Sequence, residues 1–183
     1  MNKSIAEISS DIRFEECCLI EIRLRRGDVM IFACCYRSPT NKHDSDKNNE
    51  NLNRLLNSIA LENYSHRCIV GDFNFRDINW DTCTTPHGEN SKEHKFIETI
   101  RDCFFFQQVR EPTRKRGDDR PSQLDLVFTD EVMQVSDIKY LSPLGKSDHS
   151  MIVFDFHCYI DYTNPKTSYK YSIADYEEIR KDD

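Results

Sequence analysis

Residues 67–74 read RCIVGDFN, and the interpretation of the whole chain starts from this stretch. The apolar run 67–70 predicts a short strand that ends at Gly71 and delivers the Asp72 carboxylate into a loop fixed by a rigid scaffold. A carboxylate in that position can bind a hard metal ion or take a proton from water. Asn74 can orient the same water or a phosphate. The alternative is an ordinary Asx turn after a strand.

Three other stretches also place a polar group at the end of an apolar strand. They read YRSP at 36–39, SQLD at 122–125 and GKSDH at 145–149. Asp125 stands in the apolar run LDLVF, where an unpaired carboxylate is costly. His149 is a natural partner, because a carboxylate fixes the tautomer of an imidazole and raises its basicity. The alternative for His149 is a structural histidine at a strand start. We expect both side chains to meet Asp72 and Asn74 at one cleft edge.

Hydrophobic periodicity outlines the elements around these stretches. Val29–Tyr36 predicts a strand covered on both faces, in a hairpin with a half-buried strand whose apolar face begins at Cys18. A second helix is expected to be capped by Ser91, and 73–90 is expected to be irregular. Strands are predicted over 17–24, 29–36, 67–70, 124–128, 134–141 and 150–159, and helices over 48–62 and 91–106. This mixture, without strict βαβ alternation, predicts α+β layers around a mostly antiparallel sheet.

The bulk composition restricts the class of protein. A chain of 183 residues suits one domain, and 38% hydrophobic residues with 31% charged residues indicates a soluble globular chain rather than a disordered one. No apolar run approaches the roughly 18 residues of a membrane span, and no signal segment is evident. A net charge of −7 argues against non-specific DNA binding but is compatible with an acidic metal site.

The eight cysteines form no CxxC pair, so zinc and thioredoxin sites are not indicated. Four of them lie in apolar strand-like runs, at positions 34, 35, 68 and 158. We expect these to be buried reduced thiols, which points to an intracellular protein.

Together, YRSP, GDFN, SQLDLVF and SDHSMIVFDF resemble the motifs of the endonuclease/exonuclease/phosphatase superfamily, in the family's order. Three longer phrases, GDFNFRDINW, EPTR before SQLDLVF, and PLGKSDH, are similar to the endonuclease of LINE-type non-LTR retrotransposon polyproteins. The resemblance covers about residues 14–160. The polar tail 161–183 contains ADYEEIR, which resembles the connector toward the reverse transcriptase, so we predict a linker there.

The resemblance implies a DNase I-like fold, a two-sheet β-sandwich flanked by helices, and hydrolysis of phosphodiesters with Mg²⁺ or Mn²⁺. It implies that Asp125 holds the catalytic His149, and that Asp148 is a metal-linked acid. The implied catalytic residues are Asp72, Asn74, Asp125 and His149. The implied phosphate contacts are Tyr36, Asn74 and His149, and the implied supporting hydrogen-bond donors are Ser147, Ser122 and Thr113. Which group acts as the base is left open.

One departure concerns the start of the chain. Family members begin with a strand bearing an asparagine, followed by a strand that ends in a metal-binding glutamate, and nothing before Tyr36 matches either. We therefore expect 1–160 to be a partial domain that lacks its first strands and its principal metal ligand, with little or no nuclease activity. The alternative is a catalytically dead or domesticated remnant that at most binds a partner. A phosphatase of the same superfamily ranks below both.

The resemblance also implies partners and a location. The expected partners are DNA and the reverse transcriptase module of a parent polyprotein, with no membrane. The chain is expected to be monomeric and intracellular, and to act in the nucleus, without a recognisable targeting signal.

Overall fold

The computed structural model describes residues 5–9, 14–39 and 45–158. The predicted linker 161–183 lies outside them. No helix in the described ranges is long and apolar enough to cross a membrane. The strands are β1 (Ile5–Ile8), β2 (Cys17–Arg23), β3 (Val29–Tyr36), β4 (His66–Asp72), β5 (Phe106–Gln107), β6 (Asp125–Thr129), β7 (Val135–Leu141) and β8 (Met151–Phe156). The helices are α1 (Ser45–Leu61) and α2 (Lys92–Asp102).

The described strands form two sheets. The larger has the order β1-β2-β3-β4-β6-β5, and the smaller pairs β7 with β8. Only β3 and β4 run parallel; every other pairing is antiparallel. The predicted α+β class with two sheets is therefore confirmed, as is the predominance of antiparallel pairing. The predicted hairpin is also present, since β2 and β3 pair through a turn at Arg25–Gly27.

Two apolar cores cover opposite faces of the larger sheet. Ile31, Ala33 and Cys35 of β3 pack with α1, α2 and the irregular segment after β4. Residues of β3 that point the other way, such as Met30, pack with the smaller sheet around Ile152. The larger sheet thus lies between the two helices and the smaller sheet. This alternation explains why Val29–Tyr36 is apolar at nearly every position.

Both helices present the apolar faces predicted from their periodicity, with Leu52, Leu55, Leu56 and Ile59 buried in α1. Ser91 caps α2 by accepting a hydrogen bond from the His94 backbone N–H at 3.1 Å. The second helix ends at Asp102 instead of continuing to Phe106 as predicted. The reason is local, because Phe104 adopts a positive φ of 55° that no α-helix continues.

Two predictions about burial were wrong in part. On the predicted apolar face of the first hairpin strand, Leu24 is buried and Ile22 packs against a core, but Cys18 is exposed, and Leu19 is buried on the opposite face. Cys34 is exposed as well, because the smaller sheet covers only the first part of β3 on that face. Cys35 and Cys68 are buried as predicted, Cys158 is half-buried, and all eight cysteines are free thiols.

Residues 73–90 are irregular, as predicted, yet they carry much of the core. Phe73, Phe75, Ile78 and Trp80 are all buried. The Phe75 ring stacks on Phe96 of α2 with a centroid separation of 4.5 Å. This aromatic packing fixes the path of the chain where it leaves β4.

Candidate active site

The ends of two neighbouring strands bring two carboxylates together. Asp72 is the last residue of β4 and Asp125 the first of β6, and the antiparallel register places them directly opposite each other. His149 lies just before β8, at the edge of the smaller sheet. One ligand atom from each of these three residues lies within 4.8 Å of the others. The cluster therefore depends on both sheets.

His149 and Asp125 are directly hydrogen-bonded. His149 Nδ1 lies 2.8 Å from Asp125 Oδ2, and the side chains are 26% and 24% exposed. The contact expected from the cost of burying an acid in an apolar strand is present. Such a bond fixes the ring orientation and leaves Nε2 as the nitrogen available to a substrate.

The hydroxyls predicted as donors act in part as acceptors. Thr113 Oγ1 accepts hydrogen bonds from the Leu124 and Asp125 backbone N–H groups at 3.1 and 3.0 Å. Ser147 Oγ accepts from the His149 N–H at 3.1 Å. Backbone N–H groups need an acceptor, which these two hydroxyls supply, and the predicted role of the hydroxyls as donors stays a prediction. Ser122 is buried, and its carbonyl accepts from the Thr113 N–H at 2.9 Å.

Asp72 and Asn74 form a tight turn. Asp72 Oδ1 accepts a hydrogen bond from the Asn74 N–H at 3.2 Å, and Asn74 adopts a positive φ of 53°. Asn74 Nδ2 donates to the Arg37 carbonyl at 3.0 Å. The Asx turn considered as the alternative is thus present, and Asp72 also lies in the cluster with Asp125 and His149. Burial raises the pKa of Asp72, and the neighbouring Asp125 raises it further, while His149 and Asn74 offset part of the effect.

Asp148 is engaged by an arginine. Arg114 Nε donates to Asp148 Oδ2 at 3.0 Å, Arg114 Nη2 lies 2.8 Å from the same oxygen, and this interaction lowers the pKa of Asp148. Asp148 Oδ1 lies 3.9 Å from His149 Nε2. Asp148 lies beside the cluster of three possible metal ligands rather than within it, and its metal-linked role stays a prediction.

One open cleft collects most of these side chains. Tyr36 pairs with Asp72 across β3 and β4 and is 51% exposed, so its hydroxyphenyl ring is accessible. Its role in binding phosphate stays a prediction. The cleft is lined by Tyr36, Pro39, Asp72, Asn74, Arg76, Arg114, Arg116, Leu124, Asp148 and His149.

Arg37 is a buried residue that the sequence interpretation missed. It is 2% exposed, and its Nη1 donates to the carbonyls of Phe73 and Asn74 at 3.2 and 3.1 Å. Its Nε donates to Asn49 Oδ1 at 2.6 Å, and its guanidinium carbon lies 4.1 Å from the Phe75 ring centroid. Burial lowers the pKa of Arg37, and nearby carboxylates oppose that effect. Arg37 therefore ties the turn after β4 to α1. Its position beside Tyr36 in YRSP was the available signal.

The donor atoms of Asp72, Asp125 and His149 fit a divalent cation. Carboxylate oxygens are the ligands that Mg²⁺ prefers, and an imidazole with two carboxylates also suits Mn²⁺. Asp125 already pairs with His149, which is the arrangement that orients imidazole ligands in metal sites. These three residues can hold a metal ion at the edge of the cleft.

Residues 30–153 match the model of a family described as endonuclease-reverse transcriptase. The chain belongs to this family. The match covers more than half of the sequence and includes Asp72, Asn74, Asp125 and His149. It confirms the predicted endonuclease/exonuclease/phosphatase superfamily and its retrotransposon type. A comparison with curated proteins gave no match.

Solved structures of this endonuclease superfamily share the fold. The endonuclease domain of TRAS1, a telomere-specific non-LTR retrotransposon, superposes with a TM-score of 0.58 at 15% identity over 85% of this chain and 69% of its own. A 3′ phosphatase, NExo from Neisseria, gives 0.52 at 15% identity over 76% and 65%. An endonuclease/exonuclease/phosphatase family protein from Leptotrichia buccalis C-1013-b gives 0.53 at 19% identity over 78% and 53%. The chain thus spans about half to two thirds of these proteins.

Proposed function

We propose that this chain hydrolyses phosphodiester bonds and nicks target DNA, as the endonuclease module of a polyprotein that also carries a reverse transcriptase. The observation that carries the proposal is the hydrogen-bonded Asp125–His149 pair beside Asp72 in an open cleft. The structural neighbours support DNA as the substrate, since one is a retrotransposon endonuclease and another was solved with a product DNA hairpin. Its place of action would then be the nucleus, where target DNA resides.

Each side chain of the cluster has its own proposed role in phosphodiester hydrolysis. Attack on a phosphodiester builds negative charge on the non-bridging oxygens, and an imidazolium at His149 stabilises that charge. Asp125 keeps the ring oriented and stabilises its charged form. We assign Asp72 to accept the proton of the attacking water. Asn74, anchored through Arg37, positions the phosphate.

Mg²⁺ or Mn²⁺ is the proposed cofactor, held by the carboxylates of Asp72 and Asp125, because a protonated His149 has no nitrogen lone pair left to bind a metal ion. When bound, such an ion stabilises charge on the phosphate and lowers the pKa of water. The cluster among the described residues offers two carboxylates and contains no glutamate. Because hard divalent ions bind more tightly as carboxylate ligands are added, we propose weak metal binding and slow nicking.

The experiment that tests this proposal follows conversion of supercoiled plasmid to the nicked form while Mg²⁺ or Mn²⁺ is titrated. We expect slow nicking that rises with metal concentration over the millimolar range and stops in excess EDTA. The second candidate, a remnant without catalysis, predicts no nicking at any metal concentration. Nicking that persists in EDTA contradicts the metal-dependent proposal.

A further inference from the structure

The cleft carries more positive charge than the catalytic cluster uses. Three arginines, at positions 76, 114 and 116, line it beside Asp72 and His149. Arg114 is engaged by Asp148 through a hydrogen bond and an ion pair. Within the described ranges, no side-chain hydrogen bond or ion pair engages Arg76 or Arg116. Two charged groups at the cleft are thus left for a ligand.

The two arginines come from separate loops. Arg76 follows the Asp72–Asn74 turn by two residues, and its side chain is exposed. Arg116 belongs to the loop 113–122, which the Arg114–Ser122 backbone bridge closes, and it is exposed as well. Each loop is anchored to the cluster, because one continues from Asp72 and the other contains Thr113. A molecule in the cleft can therefore contact a guanidinium from both loops.

We propose that Arg76 and Arg116 bind the phosphate groups of a DNA strand that flank the phosphodiester held by the catalytic cluster. This inference rests on the proposed function. A guanidinium matches phosphate oxygens through paired N–H donors and stays charged at every physiological pH.

The charge of the whole chain restricts where a DNA strand can bind. A net charge of −7 repels a polyanion, so affinity for DNA must come from a local concentration of cations near the cleft. Arg76 also borders an adjoining recess with Arg120. Asp77 and Asp81 also line that recess, and their negative charges offset those of the two arginines. We therefore assign the phosphate contact to the cleft.

The test measures binding of a fluorescently labelled DNA duplex by the full chain, in EDTA, as a function of salt concentration. Arg76→Ala, Arg116→Ala and the double variant are compared with Arg54→Ala. Arg54 is exposed on α1 and does not line the cleft, so its loss is a matched removal of one surface charge. Each cleft variant should lower affinity several-fold and reduce the slope of log K against log salt by about 0.9 per lost phosphate contact. The Arg54→Ala protein should bind as the wild type does.

Several results would overturn the inference. They are wild-type affinity and salt slope in both cleft variants, an equal loss in Arg54→Ala, or no binding by the wild type at low salt. The outcome is separable from the proposed function. DNA binding that depends on Arg76 and Arg116, without any nicking, supports this inference and contradicts the proposed hydrolysis. Nicking by a protein whose DNA binding is unchanged in both cleft variants supports the proposed hydrolysis and contradicts this inference.

Discussion

At the residue scale, the Asp72 carboxylate occupies an unfavourable environment. It is half-buried, and it faces the Asp125 carboxylate across paired strands. Burial and the neighbouring acid both favour its protonated form, which is why its pKa is raised. A raised pKa in a folded acid adds stability at pH values below the unfolded pKa, and that contribution is lost as the pH rises through the folded pKa. At pH values above its raised pKa, the ionised Asp72 carboxylate therefore destabilises the fold.

The first prediction is that Asp72→Asn raises the melting temperature at pH 7 in the presence of EDTA. An amide at this position still accepts the Asn74 hydrogen bond but carries no charge. The same variant should lower the nicking rate by about 10²–10⁴-fold, as loss of a general base does. Thermal denaturation at pH 7 and pH 3 checks the sign, since the gain should vanish at the lower pH. A lower melting temperature than wild type at pH 7 would show that the charge stabilises the fold.

The second prediction concerns Arg37, whose buried guanidinium donates to one side-chain and two backbone oxygens. Arg37→Ala leaves the Phe73 and Asn74 carbonyls and Asn49 without their donor, and should cost about 3 kcal/mol or more. Arg37→Lys keeps the charge but loses the forked N–H donors of the guanidinium. Its free energy of unfolding should therefore lie between those of the wild type and Arg37→Ala. Urea unfolding measures both. A change below about 0.5 kcal/mol in Arg37→Ala, the range of an ordinary surface substitution, would remove Arg37 from this role.

The sequence predicts a contact where burying a side chain without a partner would cost free energy. An acid in an apolar run requires a partner, which predicted the Asp125–His149 bond. Arg37 carries no comparable signal beyond its position beside Tyr36, because arginine is usually a surface residue and the partners of Arg37 lie at least 12 residues away in sequence. Burial of Arg37 follows from contacts with Asn49 and Phe75 that only the fold creates.

At the scale of elements, the junction of β3 and β4 determines where Asp72 ends up. Gly71 pairs with Cys35 and adopts a φ of 152°. A Cβ at Gly71 would lie 1.8 Å from the Cys35 carbonyl oxygen, so the strands approach too closely for any side chain. The parallel pairing that carries Asp72 to Tyr36 thus requires this glycine.

The third prediction is that Gly71→Ala prevents normal folding, because backbone on both strands would have to move. Soluble yield and the cooperativity of thermal unfolding measure the effect. Gly88→Ala is the matched control, since its added Cβ meets nothing within 4 Å. A Gly71→Ala protein that melts cooperatively at the wild-type temperature would contradict the close approach of the strands.

Elements with a strong periodic pattern were predicted from sequence within a few residues, and those without one were missed. The strand Val29–Tyr36 and the apolar faces of both helices are examples. The strand Ile5–Ile8 is mostly exposed, and Phe106–Gln107 has only two residues, so neither shows an alternation to detect. The end of α2 depends on the backbone conformation of Phe104, which composition does not reveal.

At the scale of the whole molecule, the site exists because the two sheets meet. Asp72 and Asp125 come from the larger sheet, and His149 lies just before β8 of the smaller sheet. Periodicity alone predicted α+β layers around a sheet. The prediction of a two-sheet sandwich came from the family resemblance, since no local pattern shows which strands share a sheet. A variant that separates the sheets without unfolding them should therefore lose the cluster.

The central claim is that His149, oriented by Asp125, takes part in phosphodiester hydrolysis. The most direct test compares the rates of plasmid nicking by wild type, His149→Ala and His157→Ala under the metal conditions that give the highest wild-type rate. His157 is an exposed histidine that is hydrogen-bonded to Ser136 and does not line the cleft. The His157→Ala variant therefore controls for the loss of an imidazole elsewhere in the protein. We predict that His157→Ala nicks at the wild-type rate and that His149→Ala nicks about 10²–10³-fold more slowly, a loss of about 3–4 kcal/mol of transition-state stabilisation. Equal rates for all three proteins would contradict the claim.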